Sequence, residues 1–252
     1  MTKLIKQLGI IDWGIGGVSI YKLIKARLGD IPIIYFSDTG ATPYGKMSRR
    51  ELVARLTIVI NFLKSNGVTH LVIGCNAAST AIPFLKIENI KIEGVIESAV
   101  ELTEKIKPIK LALIGGKRTV LSGIYRRTFA ARDIKLKQRV AQPLSALIES
   151  GDISSLALRE AVKKIIAPIK NSSHLLLACT HYPAINDVLK DFVSNDTVFI
   201  DPAGELVDKI AKWNLPISGA DIFYTTGDVE NMQNAAKNAF NVEIEKVERI
   251  TI

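Results

Sequence analysis

Short aliphatic runs that break into a polar or glycine-rich turn, and then into a segment with helical spacing, recur along this chain and restrict its fold. Leu8-Gly9-Ile10-Ile11-Asp12 leads into Trp13-Gly14-Ile15-Gly16-Gly17, after which Ile20, Ile24 and Leu28 recur at helical spacing. Ile33-Ile34-Tyr35-Phe36-Ser37 opens into a loop of turn formers from Asp38 to Gly45. Ser48, with Glu51 three residues on, predicts a capping box for a helix whose apolar face is Leu52, Leu56, Val59, Ile60 and Leu63. Leu71-Val72-Ile73-Gly74 then delivers Cys75 to a polar turn, a helix-forming run follows, and Ile92-Glu93-Gly94-Val95-Ile96 closes the series as a further strand. Fully aliphatic strands alternating with helices predict an α/β fold with parallel sheet covered on both faces.

The pattern restarts at Leu111-Ala112-Leu113-Ile114-Gly115-Gly116, with Thr119 and Ser122 on the helical segment after it and a strand-like stretch from Ile134 to Val140. Gln142-Pro143-Leu144 leads into a short helix that Gly151 stops, and Leu156, Leu158, Val162 and Ile166 mark another. Leu176-Leu177-Ala178 then delivers Cys179 to the turn Thr180-His181-Tyr182-Pro183, and Asp201-Pro202-Ala203-Gly204-Glu205 opens a helix after strand Val198-Phe199-Ile200. Cys179 lies 104 residues after Cys75, and Ile114 lies 102 after Asp12. Matching offsets at two places predict an internal duplication, hence two similar lobes with a cysteine at the end of a strand in each.

The bulk properties exclude several classes. The 252 residues, 48% hydrophobic and 23% charged, are long enough for one large or two modest globular units. No apolar run approaches the ~18 residues a membrane span needs. The N-terminus carries Lys3 and Lys6, and Asp12 interrupts the apolar stretch before a signal-peptide core forms, so a cytoplasmic location is expected. The formal net charge of +8 raises nucleic acid as a partner. The lysines, such as Lys22, Lys25, Lys135, Lys137, Lys163 and Lys164, scatter over apparent helix faces without interleaved aromatics, which reads as a solvated surface. No metal set is apparent. The first turn resembles a dinucleotide fingerprint, but Ser19 stands where the last glycine belongs and Asp38 alone could serve as the ribose acid. Its free backbone amides suit an anionic group such as a carboxylate.

The two cysteines are the only ones in the chain, and each stands at the end of a buried run, where open α/β sheets bind ligands. Each is either a small buried hydrophobe or a functional thiol. Polar neighbours favour the second reading, Asn76 beside one and Thr180 and His181 beside the other. His70 and His174 lack such surroundings and read as surface or strand-end residues. Two acid–base groups on opposite faces of a carbon centre suit removal of a proton from one side and its delivery on the other. That inverts a stereocentre without redox chemistry.

At these residues the chain resembles the cofactor-independent aspartate/glutamate racemase superfamily, the glutamate racemases most closely. The match is carried by Gly9-Ile10-Ile11-Asp12-Trp13-Gly14-Ile15-Gly16-Gly17, Pro43-Tyr44-Gly45, Cys75-Asn76, Gly94-Val95-Ile96-Glu97, Glu149-Ser150-Gly151, Cys179-Thr180-His181-Tyr182-Pro183 and Asp201-Pro202-Ala203-Gly204-Glu205. The resemblance implies that Cys75 and Cys179 are the two proton-exchanging thiols, Asp12 supporting the first, and Glu149 and His181 the second. It places Asp12, Trp13, Pro43, Tyr44, Gly45, Asn76, Ala77, Thr119, Thr180 and His181 around a small amino-acid substrate, with Ser122 a further polar match. It implies no PLP, no metal and no other cofactor, and D-glutamate as a product that feeds cell-wall peptide synthesis. It implies two pseudo-symmetric α/β lobes with the active site in the cleft between them, residues 1–98 with 209–252 in one and 99–208 in the other. A homodimer is compatible with it, and the oligomeric state is left open.

Two positions depart from the superfamily pattern. Trp13 stands where a serine follows the first aspartate, and Ala77 stands where a threonine follows Cys-Asn. The indole either points into the pocket and narrows it or turns into the lobe core. The missing threonine hydroxyl removes a bond to a carboxylate worth roughly 1.5–3 kcal/mol. A different or smaller acidic amino acid is therefore the alternative substrate, and a non-catalytic binding or regulatory relative the alternative of another class.

Overall fold

The structure, a computed structural model, describes residues 6–252. Lys3 lies outside the described residues. In chain order the first series is β1 (Leu8–Asp12), α1 (Val18–Leu28), β2 (Ile33–Ser37), α2 (Arg49–Ser65), β3 (His70–Ile73), α3 (Asn76–Ser79), β4 (Lys91–Gly94) and α4 (Val95–Ile106). The second is β5 (Leu111–Gly115), α5 (Lys117–Leu121), α6 (Ile124–Ala130), β6 (Leu136–Val140), α7 (Gln142–Glu149), α8 (Leu156–Ile166), β7 (His174–Ala178), α9 (Asn186–Lys190) and β8 (Val198–Ile200). The chain closes with α10 (Ala203–Ala211), β9 (Ile222–Thr225), α11 (Val229–Phe240) and β10 (Glu248–Arg249).

These strands form two sheets, one ordered β10-β9-β2-β1-β3-β4 and the other β6-β5-β7-β8. Every pairing is parallel. The strands are aliphatic throughout because both faces of each sheet are covered. In β1, Leu8 and Ile10 pack towards α1, α10 and α11, whereas Ile11 packs towards α2. In β5, Ala112 and Ile114 face α7 and α8, and Leu111 and Leu113 face α4 and α6. The expected α/β architecture of two helix-flanked parallel sheets is thus what the chain forms.

Local signals hold where a side chain makes the decision. The Ser48 hydroxyl accepts from the Glu51 N–H and the Glu51 carboxylate accepts from the Ser48 N–H, closing the expected capping box of α2. Gly151, at φ +83°, follows α7 in the left-handed conformation that glycine adopts most readily. The stretch Ile92–Ile96 is corrected: β4 ends at Gly94, and Val95 and Ile96 begin α4. A short apolar run does not distinguish strand from buried helix, and Gly94 is the break between them. Ile134 likewise precedes β6.

The two sheets are joined through α4 and α10. Leu206, Val207 and Ile210 of α10 belong to the cluster that contains Leu8 and Ile10. Ion pairs tie α10 to α4 and β4: Lys105 to Glu205 at 2.6 Å, and Lys209 to Glu93 at 2.7 Å and to Glu101 at 2.9 Å.

Candidate active site

The carboxyl ends of β1, β3, β5 and β7 converge on a cavity of ≈ 410 Å³ between the sheets. Asp12, the last residue of β1, and Cys75, which precedes α3, line it from one side; Gly116, Ala178 and Cys179 line it from the other. Trp13, Pro43, Tyr44, Gly45, Asn76, Ala77, Thr119, Glu149 and His181 also line it. Among the residues expected to surround a substrate, Thr180 alone is not in this wall; its hydroxyl donates to the Asp12 carboxylate at 2.9 Å. Ser122 lies outside the cavity, its hydroxyl donating to the Thr119 carbonyl.

Both cysteines are free and partly exposed. Asp12 is fully buried, and its carboxylate also accepts the Trp13 N–H at 2.6 Å. Burial pushes its carboxyl up to about 6; the charge on His181 opposes that rise and the charge on Glu149 adds to it. Although Cys75 is partly exposed as a residue, loss of solvent around its thiol pushes it well above its ordinary value, and the neighbouring Asp12 charge adds to the rise. On the other side His181 Nδ1 stands 3.6 Å from Cys179 Sγ, and its Nε2 is 2.6 Å from a Glu149 carboxylate oxygen. Burial alone would lower the imidazole, yet contact with Cys179 and Glu149 carries it well above the usual histidine range.

The glycine-rich turn after β1 admits these groups. A Cβ on Gly14 would lie 2.1 Å from a Glu149 oxygen, and one on Gly16 would lie 2.4 Å from Thr180 Oγ1 and 2.6 Å from His181 Nδ1. The anion that the turn's amides receive is the protein's own: Ile15 N–H donates to Glu149 at 3.0 Å. Asp38 is not available to a ribose. It is fully buried and held by Arg55 through two bonds at 2.6 and 2.8 Å, by the Tyr44 hydroxyl at 2.8 Å and by Thr226 at 2.9 Å. Tyr44 therefore offers the cavity its ring, because its hydroxyl is engaged elsewhere. Trp13 faces the cavity, with its indole N–H fixed to the Ala41 carbonyl at 3.1 Å. His70 and His174 stand at the starts of β3 and β7, away from the cavity.

Sequence reasoning passed over Lys46, Arg118, Gln142, Pro143, Ser145 and Ala146, all of which line the cavity. Arg118 stands three residues beyond the end of β5, so the rule that ligands gather at strand ends would have found it.

Two helix-covered parallel sheets with their carboxyl ends opposed, and a free thiol from each in a shared cavity, define an α/β enzyme of acid–base chemistry at carbon. The chain belongs to the Asp/Glu/Hydantoin racemase family, whose model matches residues 8–210. A glutamate racemase of Lactobacillus johnsonii is 28% identical over 94% of this chain and 94% of its own length. The crystal structure of glutamate racemase isoform RacE1 from Bacillus anthracis superposes with a TM-score of 0.89 at 23% identity, covering 99% of both chains. That of a glutamate racemase from Francisella tularensis in complex with D-glutamate gives 0.88 at 24% identity, covering 98% of this chain and 97% of its own.

Proposed function

We propose that this chain interconverts L- and D-glutamate by two-base proton transfer between Cys75 and Cys179, without a cofactor. The supporting observation is that one cavity receives a thiol from each side, each with its own proton partner: Asp12 for Cys75, and His181 with Glu149 for Cys179. One cysteine, as thiolate, takes the α-proton; the other, as thiol, gives its proton to the opposite face of the carbanionic centre. The substrate leaves inverted, and the two thiols have exchanged protonation states. Asp12 and His181 hold and return the thiol protons, and Glu149 orients and charges His181.

Asn76 supports the placement of the α-carboxylate beside Cys75. It is buried, its carbonyl accepts the Tyr125 hydroxyl at 2.7 Å, and its Nδ2 has no hydrogen-bond partner among the described residues. Thr180 acts through Asp12. The rings of Trp13 and Tyr44, with Pro43, Gly45 and Ala77, form the wall that excludes water. Residues 1–98 with 209–252, and 99–208, are the two lobes in this reading, and α4 and α10 carry the crossings between them. The product, D-glutamate, supplies peptidoglycan synthesis. No helix among the described residues is long and apolar enough to cross a membrane. Chemistry that needs two reduced thiols fits the cytoplasm.

Trp13 in the cavity wall favours one second reading, the same chemistry on a smaller acidic amino acid. The experiment is α-proton exchange in deuterated water, followed by NMR on both enantiomers of glutamate and of aspartate. Exchange with inversion of glutamate is the expected result. Exchange of aspartate alone would move the substrate. No exchange by folded, reduced protein would favour a binding or regulatory relative.

A further inference from the structure

The cavity wall contains a cation that none of the thiol chemistry uses. Arg118, on α5, is half-buried. Its Nε donates to Thr80 Oγ1 at 3.0 Å and its Nη1 to the Met47 carbonyl at 2.6 Å. Thr80 in turn donates to the Ala77 carbonyl at 2.6 Å, so the guanidinium is fixed to the turn that carries Cys75, Asn76 and Ala77. Its Nη2 has no protein partner among the described residues, and no carboxylate pairs with it.

Arg118 also lines a second, outer groove of ≈ 710 Å³ with Lys46, Arg49, Lys117 and Arg127. Among the described residues no acidic side chain lines that groove. Arg49 lies over the Phe84 ring, 4.5 Å from its centroid. Burial, with the like charge of Arg49, pulls the Arg118 guanidinium below its ordinary value. A partly desolvated arginine that is pinned in place and lacks a counter-ion is a site waiting for an anion.

We infer that Arg118 anchors the side-chain carboxylate of the substrate. This rests on the reading of the cavity as a two-thiol racemase site and assigns its specificity for an acidic side chain. The geometry separates the two carboxylates. The reacting carbon must lie between Cys75 and Cys179, and Asn76 beside Cys75 offers its unpaired Nδ2 to the α-carboxylate. Arg118 stands where the cavity meets the outer groove, whose lining includes neither cysteine, Asp12 nor His181. The carboxylate that reaches it is the one further from the reacting carbon. Ala77 withholds a hydroxyl on the same wall, and the free Nη2 of the guanidinium provides a stronger, charged donor there. The remaining cations form a rim that draws dianionic substrate towards the cavity.

The test is a two-by-two comparison of D-glutamate and D-glutamine binding to the wild type and to Arg118→Met by calorimetry. The wild type should prefer glutamate. The variant should lose about 10–100-fold in glutamate affinity, as expected for a charged hydrogen bond, and leave glutamine unchanged. Equal losses for both ligands, or no loss for glutamate, would overturn the inference, as would a wild type that binds both ligands equally or neither. Thr80→Val cuts the tie to α5 without removing the charge. It should lower thermal stability and reduce the glutamate-to-glutamine ratio by much less than Arg118→Met does, whereas a purely structural role for Arg118 requires both variants to act alike. If Arg118→Met does not fold, Arg118→Gln makes the same comparison, and Arg118→Lys should restore part of the preference. A wild type that shows the coupling yet fails to racemise glutamate would refute the proposed reaction and leave the anchor standing. Racemisation with KM for glutamate indifferent to Arg118 would do the reverse.

Discussion

In the first sheet the order β2-β1-β3-β4 places Leu8 beside Ile33 and His70; in the second, β6-β5-β7-β8 places Leu111 beside Leu136 and His174. The correspondence extends to detail. Thr69 and Ser173 each hydrogen-bond the Nδ1 of the following histidine at 2.9 Å. In this register Cys75 matches Cys179, so the repeat itself opposes the two thiols. Asp12 matches Gly115, one residue beyond the Ile114 that the offset in the sequence paired with it, and there the symmetry ends. The first sheet sets a carboxylate beside its thiol directly from the central strand. The second has no side chain at that place; there His181, two residues past its cysteine and in contact with Glu149 from α7, stands beside the thiol. In the proposed mechanism the repeat sets the two thiols, and each has a different proton partner, one acidic and one basic.

The largest effect should come from removing a thiol. Cys75→Ala and Cys179→Ala should each lower racemisation by about 10⁴-fold or more, since each enantiomer needs a base on one face and an acid on the other. Normal turnover by either variant, measured by polarimetry, would end the two-thiol scheme.

Next in size, Asp12→Asn and His181→Asn should each cost about 10²–10³-fold in kcat. The equilibrium constant of a racemisation is one, so kcat/KM falls equally in both directions and cannot separate the two sides. The α-deuterium isotope effect can. It should rise for one enantiomer in Asp12→Asn and for the other in His181→Asn. If both variants affect the same enantiomer, the assignment of one partner to each thiol is wrong.

Gly16→Ala would force Thr180 and His181 away from the first sheet. A displacement of about 1 Å should cost roughly 10²-fold in kcat. Gly17→Ala, where the nearest atom is 3.0 Å away and belongs to the Tyr35 hydroxyl, should cost less. Equal rates for the two variants would show that the close approach does not matter to the reaction.

The smallest effect concerns stability. Asp12 rises from 3.8 to about 6 on folding, so its contribution is fully present below pH about 4 and is lost as pH rises through about 6. Asp12→Asn, which carries no charge to desolvate, should match the wild type near pH 4. Above pH 7 it should exceed the wild type by up to about 3 kcal/mol in urea unfolding. A variant no more stable at pH 8 than at pH 4, relative to the wild type, would show that the buried charge is compensated.

Much of this was legible in the chain. The aliphatic runs, their turns and the helical spacing after them identify the parallel α/β units, because strands buried on both faces must be apolar throughout. The matching offsets of Cys75 and Cys179 point to the repeat. The role of Glu149 came from a resemblance, since nothing in its local pattern separates it from any other acid at a helix end. The C-terminal strands β9 and β10 escaped residue-by-residue reading: Ile222–Thr225 is a four-residue strand that becomes one only by pairing with β2.

The sequence by itself determined the carboxyl ends of β1, β3 and β7, the two thiols and their immediate neighbours, because periodicity and adjacency are local properties. The tertiary structure alone decided what meets across the cleft. Gly14 and Gly16 serve as openings for Glu149, Thr180 and His181, Trp13 faces the cavity with its N–H tied to Ala41, and Arg118 is left with a donor and no counter-ion among the described residues. Those facts depend on desolvation and on contacts between residues well separated in the chain, 28 positions for Trp13 and Ala41 and 38 for Arg118 and Thr80, and a one-dimensional pattern carries neither.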